Sequence, residues 1–284
     1  MRTSKSFAEL AMALVFLVAV PGSAPAQNNG GMADFFPDWF DRVTATQAEQ
    51  PHWITPVYTV TPRLEEELRY DITQQSTSGG NNVDNYGVSK GLELIPTEHI
   101  EFIFSIPPYF THTNPSIHDG FGDVSFLMKY RLLASNEEHH NYILTAFLGA
   151  TVPTGSYKNG STDASVTPTI AGGKGFGNFD FQSTLGVAIP TGDMDKIGSP
   201  VLFNTTFQYR VLKKIWPEVE VNSIFWSNGE HAGKKQTFLS PGLVLGRFHL
   251  WHRVGFTIGG GVQIAATQYY TSNHNYTLSV RFPF

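Results

Sequence analysis

From about Arg63 onward, apolar residues recur at every second position in runs of about ten, and clusters of Gly, Asn, Asp and Pro separate one run from the next. The clearest runs are Ile100, Phe102, Phe104, Ile106; Val124, Phe126, Met128, Tyr130, Leu132; and Tyr142, Leu144, Ala146, Leu148, Ala150, Val152. Equally regular are Phe179, Phe181, Leu185, Val187, Ile189; Val201, Phe203, Phe207, Tyr209, Val211; and Val254, Phe256, Ile258, Val262, Ile264. Less clean runs lie near 63–73, 86–95, 165–174, 216–226 and 237–247, and the last is Tyr276, Leu278, Val280, Phe282, Phe284. A helical period would put Asp123, Ser125, Lys129 and Arg131 beside Phe126 and Met128, so the pattern predicts twelve strands.

The connections predict how those strands are joined. Long polar connections (74–85, 107–119, 153–164, 190–199, 227–236, 265–274) alternate with shorter ones (96–99, 134–141, 175–178, 212–215, 248–252). A transmembrane up-and-down antiparallel β-barrel of about 12 strands has this rhythm, with short periplasmic turns, longer extracellular loops and both termini in the periplasm. The last run places aromatic or aliphatic side chains at every second position up to the terminal residue. Tyr276, Leu278, Val280, Phe282 and Phe284 thus resemble the C-terminal signal by which barrel-assembly machinery recognises outer-membrane strands.

Composition decides which face meets which solvent. The chain of 284 residues is only 15% charged but 13% aromatic, and a closed barrel can present such an apolar face to lipid while satisfying its own backbone. The alternate face carries Glu65, Glu67, Arg69, Asp71, Glu93, Glu101, Lys129, Arg131, Asp180, Gln182, Gln208, Arg210, Glu218, Glu220, Arg253 and Arg281. Arg and carboxylates pair well in a confined lumen. Glu65, Glu67, Lys129, Arg131, Arg210, Glu218 and Glu220 are the expected mixed-charge constriction, its opposing charges giving weak ion selectivity.

The N-terminus reads as a secretory leader at 1–26. Arg2 and Lys5 precede the apolar stretch Leu10–Val20, and Ala24-Pro25-Ala26 offers a small-residue cleavage site. Residues 27–56 then form a separate segment, with the barrel expected over 57–284. Within that segment Phe35, Phe36, Trp39, Phe40 and Val43 fall on one side of a helix that Pro37 could open. It could plug the lumen, lie on the periplasmic membrane surface, or be a flexible lead-in.

Other chemistry finds little support. With 0 cysteines there is no disulfide, zinc-thiolate site or Cys nucleophile, and a net charge of -5 gives no reason to expect nucleic acid. His139-His140, beside Glu137-Glu138, and His249-x-x-His252 fall in predicted turns and lack an enclosed third ligand, so no metal or cofactor is expected. An outer-wall Ser-His pair for lipid cleavage is missing, because the apolar faces hold no His. Gly172–Gly177 meets a turn rather than a helix and is no phosphate cradle, whereas Gly259-Gly260-Gly261 would let a strand bend or approach the lumen contents. Sequons at Asn159, Asn204 and Asn275 matter only in a eukaryotic secretory route.

A family resemblance sharpens the expectation. The segment GFGDVSFLMKYRLL (120–133), the Pro-Thr-Gly hairpin starts at Pro153 and Pro190, and the Gly91-Leu92-Glu93-Leu94 strand resemble the meta-pathway of phenol degradation family of bacterial outer-membrane β-barrel transporter-like proteins. The resemblance covers about 60–284 and implies a bacterial outer-membrane channel through which small, hydrophobic or aromatic compounds diffuse passively. It transfers no catalytic residue. The alternatives are a plugged structural or adhesive barrel that binds partners through its loops, and an outer-membrane lipid-modifying enzyme. Outer-membrane lipid and the solute are the expected partners; the sequence sets no oligomeric state.

Overall fold

The computed structural model describes residues 37–284 apart from 78, 79 and 89; the expected leader at 1–26, with Phe35 and Phe36, lies outside the described residues. Among the described residues, helix α1 (Trp39–Ala48) precedes the sheet. The strands are β1 (Glu67–Thr77), β2 (Asn82–Tyr86), β3 (Gly91–Thr97), β4 (Ile100–Ser105), β5 (Tyr109–His112), β6 (Gly120–Phe121), β7 (Val124–Ser135) and β8 (Tyr142–Val152). They continue as β9 (Ser165–Phe176), β10 (Phe179–Val187), β11 (Ile189–Pro190), β12 (Val201–Tyr209), β13 (Ile215–Phe225), β14 (Lys235–Trp251), β15 (Val254–Ala265) and β16 (Ser272–Pro283), with the one-turn helix α2 (Met194–Ile197) before β12.

These segments make twelve barrel strands. Four of the twelve are interrupted, each built from two segments: β2 with β3, β4 with β5, β6 with β7, and β10 with β11. Pro107-Pro108 explains one interruption, since proline has no N–H to give the ladder. All neighbouring pairs are antiparallel, and β16 closes on β1 from Glu67↔Pro283 to Thr77↔Ser272. No backbone edge is left open, which is the condition for a sheet in hydrocarbon.

The alternation is realised in burial. Phe102, Phe104, Phe126, Leu185, Phe203, Phe207, Leu239 and Leu243 are exposed on the outer wall. On β16, Tyr276, Leu278 and Phe282 point outward, while Thr277, Ser279 and Arg281 are buried inside. A water-soluble protein would bury the first set; here hydrocarbon covers it.

Two boundaries differ from expectation. The first strand begins at Glu67, not near 57 or 63, and residues 57–66 lie within the barrel interior. Arg63, Glu65 and Glu67 share parity and so imitate one continuous strand, but only Glu67 belongs to it. The first extracellular connection shrinks to 78–81, because β1 and β2 pair through Gln74↔Asp84 and Ser76↔Asn82. Polar residues at a barrel rim read as loop although they are strand.

Candidate functional site

The interior is occupied by the protein's own chain. After α1, residues 49–66 carry Pro51, Pro56 and Pro62, so the segment can neither continue the helix nor complete a ladder with the wall. Buried N–H and C=O groups still require partners. The wall's side chains supply them.

Carboxylates take the amides. Val57 N–H donates to Glu218 Oε1 (2.9 Å), Tyr58 N–H to Glu220 Oε1 (2.8 Å) and Thr59 N–H to Glu220 Oε2 (2.6 Å). Both acids are held from below, Glu218 by Gln208 Nε2 at 2.6 Å and Glu220 by Thr206 Oγ1 at 2.9 Å. Guanidinium groups take the carbonyls. Arg69 donates to Val57 O (2.5 Å) and Pro56 O (3.2 Å), Arg281 to Pro56 O (2.9 Å) and to Thr55 O. Arg69 is itself oriented by a forked contact with Asp71, a geometry that guanidinium and carboxylate planes favour.

Further along, Gln182 Nε2 donates to Ile54 O while its Oε1 accepts from Thr61 Oγ1. Thr145 Oγ1 reaches Pro62 O at 2.6 Å, and Lys129 Nζ reaches Arg63 O at 3.0 Å. Some of the buried charges pair with one another: Lys129 with Glu101 (2.9 Å), and Glu65 with both Arg63 (2.7 Å) and Arg247 (2.5 Å). Arg63, Glu65 and Lys129 are at most 1% exposed. Charge buried at that depth is costly without a partner, and acids and bases interleave there.

Apolar contacts complete the seat. Trp53, Ile54 and Val57 pack inside the barrel against Ile143, Trp216 and Val244. Glycines in the wall make the room: a Cβ at Gly173 would lie 2.6 Å from Trp53 Cζ3, and one at Gly261 3.2 Å from Tyr58 Cε2. The glycine tracts of β9 and β15 therefore receive the segment's aromatic rings, the close-approach role expected of Gly259-Gly260-Gly261.

At the periplasmic rim α1 docks by its C-terminal end. Arg131 donates to Thr46 O (2.8 Å) and pairs with Glu49 (3.0 Å), Asn136 Nδ2 reaches Ala48 O, and Gln50 exchanges two hydrogen bonds with the backbone of Leu64. Val43 and Thr46 are the buried pair, whereas Phe40 is exposed beneath the Arg253 guanidinium, 4.9 Å from its ring. The helix expected over this segment is present, and the hydrogen bonds that hold it run from the wall to carbonyls at its end.

The expected constriction residues separate into groups. Glu67, Lys129, Glu218 and Glu220 face the interior from the wall, but Glu65 belongs to the internal segment. Arg131 lies at the rim with α1. Arg210 is beyond the end of β12, donating to Asn178 Oδ1 and lying over the Trp216 ring at 5.7 Å, and Arg253 is in a turn. Strand-end parity put both arginines inside; Arg253 is exposed in its turn, whereas Arg210, half-buried, covers the interior ring of Trp216 from beyond the strand end. Arg69, Arg281, Gln182 and Glu101 stood on the alternate face without being singled out, and Arg63, Arg247 and Trp53 were missed. A proline-broken segment bearing Thr55, Thr59 and Thr61 before the first strand was the available signal.

Among the described residues no group of three His, Asp or Glu side chains could hold a metal ion. His139 hydrogen-bonds Asn136 Oδ1 in an exposed turn, and His249 and His252 are exposed.

A closed twelve-strand barrel with an apolar outer belt and a charged interior defines a bacterial outer-membrane β-barrel. The family model described as "Putative MetA-pathway of phenol degradation" matches residues 67–282, and the chain belongs to that family. Among solved structures it is similar to the COG4313 outer membrane channel from Pseudomonas putida F1, at 14% identity and a TM-score of 0.53, over 77% of this chain and 94% of that one. It also resembles the KdgM porin, at 9% identity and a TM-score of 0.47, over 76% and 99% of the two chains. No curated protein matches it.

Proposed function

We propose that the chain is a channel for small, hydrophobic or aromatic compounds by passive diffusion, held closed by its own residues 49–66. The observation that carries this reading is the clamp itself: wall carboxylates and guanidinium groups are aimed at the backbone of a segment held without covalent bonds to the wall. A barrel filled only for stability could pair those charges with one another across the lumen. The reading involves no covalent step and no cofactor. It takes β16, with Tyr276, Leu278, Val280, Phe282 and Phe284, as the strand recognised by the assembly machinery.

The second reading, a permanently plugged structural or adhesive barrel, is favoured by the depth at which Arg63, Leu64 and Glu65 are buried. Ion conductance in planar bilayers separates the two. A channel gives measurable conductance for the whole protein and more for Glu218→Ala/Glu220→Ala; conductance absent from both proteins would leave the plugged barrel.

A further inference from the structure

The short turns lie at the end of the barrel where β1 begins and β16 ends, and they differ in charge. Three consecutive ones, with the strand ends that flank them (174–178, 210–214 and 248–253), carry Lys174, Arg210, Lys213, Lys214 and Arg253 and no acid. The other two, at 96–99 and 134–141, carry Glu98, Glu137 and Glu138 and no Lys or Arg, and nearby Arg131 is paired with Glu49. The periplasmic rim therefore has a basic side, from β9 to β15, and an acidic side, from β3 to β8.

The two arginines of the basic side are committed elsewhere. Arg210 covers Trp216 and reaches Asn178, while Arg253 covers Phe40 and reaches Thr44 Oγ1 of α1 at 3.0 Å. Among the described residues none of the three lysines pairs with a carboxylate. They sit at the lower edge of the apolar belt instead. Lys174 stands opposite Tyr142 in register; its ammonium lies 5.9 Å from that ring and 5.7 Å from Phe176, and donates to the carbonyl of His140. The Lys214 ammonium lies 4.9 Å from the ring of Phe248, which pairs with Phe256 on the outer wall. Leu212 and Lys213 form a hairpin tip in the left-handed region, with Leu212 82% exposed. Beside it β14 runs on past Leu245, the partner of Ile215, to Leu250 and Trp251, both exposed.

An ammonium over an outward ring, flanked by exposed Leu and Trp, suits a ligand with a negative head and a hydrocarbon body. Lysine holds phosphate as a point charge, without demanding one orientation. An acidic protein would supply the charge but not the hydrocarbon that Phe176 and Phe248 face. The net charge of -5 opposes anions overall, so the attraction has to be local. We propose that Lys174, Lys213 and Lys214, with Leu212, Leu250 and Trp251, form a docking site for anionic phospholipid of the periplasmic leaflet. The headgroup phosphate sits at the lysines and the acyl chains lie on the outward rings, on one side of the barrel only. The inference holds whether the lumen conducts or stays plugged.

The test is native mass spectrometry of the whole protein, released from detergent micelles holding equimolar phosphatidylglycerol and phosphatidylcholine. The wild type is compared with Lys174→Gln/Lys213→Asn/Lys214→Gln, in which Asn tolerates the left-handed position. The wild type should retain phosphatidylglycerol at least about fivefold over phosphatidylcholine, the worth of one lysine at an anionic surface, and the variant less than about twofold. Glu98→Gln/Glu138→Gln, on the acidic side, should leave the ratio unchanged, and excess glycerol phosphate should not displace the lipid. Heat-modifiable gel migration reports folding; if the triple variant does not fold, Lys214→Gln alone should lower the ratio by about half. Equal retention of the two lipids by the wild type would overturn the proposal. So would a preference that survives loss of the lysines, one that follows the acidic side equally, or displacement by glycerol phosphate.

Discussion

The two halves of the lumen are built from opposite chemistry. Around the clamp, the side chains are charged, buried and directed at the backbone of residues 53–63; above it, they are amides and hydroxyls, Asn204, Asn222, Ser240, Gln263 and Asn275 among them, directed at one another. The difference teaches what each half is for. Charge at zero exposure is tolerable only with fixed partners, so the lower half specifies one occupant, the protein's own segment. Uncharged polar groups cost less to leave half satisfied, so the upper half needs no fixed occupant.

Breaking the lower half should have the largest effect. Glu218→Ala/Glu220→Ala strips three buried amides of their acceptors and should weaken seating of the segment by about 3–5 kcal/mol, seen as protease cleavage between residues 50 and 66 in the folded barrel. Unchanged protection would mean that the apolar seat of Trp53 and Val57 suffices. Crowding that seat comes next. A Cβ at Gly173 would meet Trp53 Cζ3 at 2.6 Å and the carbonyl of Phe181 at 2.8 Å, so Gly173→Val should cost about 1–3 kcal/mol and raise the emission wavelength of Trp53.

In the upper half, Asp123 organises the loop at 153–164. Its carboxylate accepts from the backbone N–H of Thr154 (3.1 Å), Gly155 (2.9 Å) and Ser161 (2.7 Å). Asp123→Ala should speed hydrogen exchange at those three amides by about tenfold, the scale of one charge-assisted bond each, and leave the clamp protected. Faster exchange around Val57 as well would show that the halves are coupled.

The smallest effect lies at the rim. Burial raises the Glu137 carboxyl, but hydrogen bonds from the His52 side chain and backbone outweigh it and bring the group from 4.5 down to about 2. A lowered folded value makes this contact's contribution complete above pH 4.5 and lost as the pH falls toward 2. Both side chains are partly exposed, so less than about 1 kcal/mol is at stake, and the acid-induced change in Trp53 fluorescence should shrink in Glu137→Gln.

Much of this was legible because a barrel strand obeys a period of two. Phe203, Phe207 and Tyr209 against Asn204, Thr206 and Gln208 reveal both faces of β12 without any structure. The occupied lumen was less legible, since nothing in the spacing of Arg63 and Glu65 separates an internal segment from a first strand. Arg210 and Arg253 show the complementary error, where alternation runs past the end of a strand into a turn. Three-dimensional closure, not local pattern, brings Arg69 and Arg281 to the same carbonyl of Pro56.

The central claim is that residues 49–66 close the channel and must move for solute to pass. The chain has 0 cysteines, and a Cβ at position 259 would lie 3.4 Å from Val57 Cγ2, so Val57→Cys/Gly259→Cys can tether the segment to the wall. Ion conductance of this variant in planar bilayers, measured oxidised and then reduced, is the most direct test. The account predicts no conductance with the disulfide formed and recovery on reduction; equal conductance in both states would contradict it.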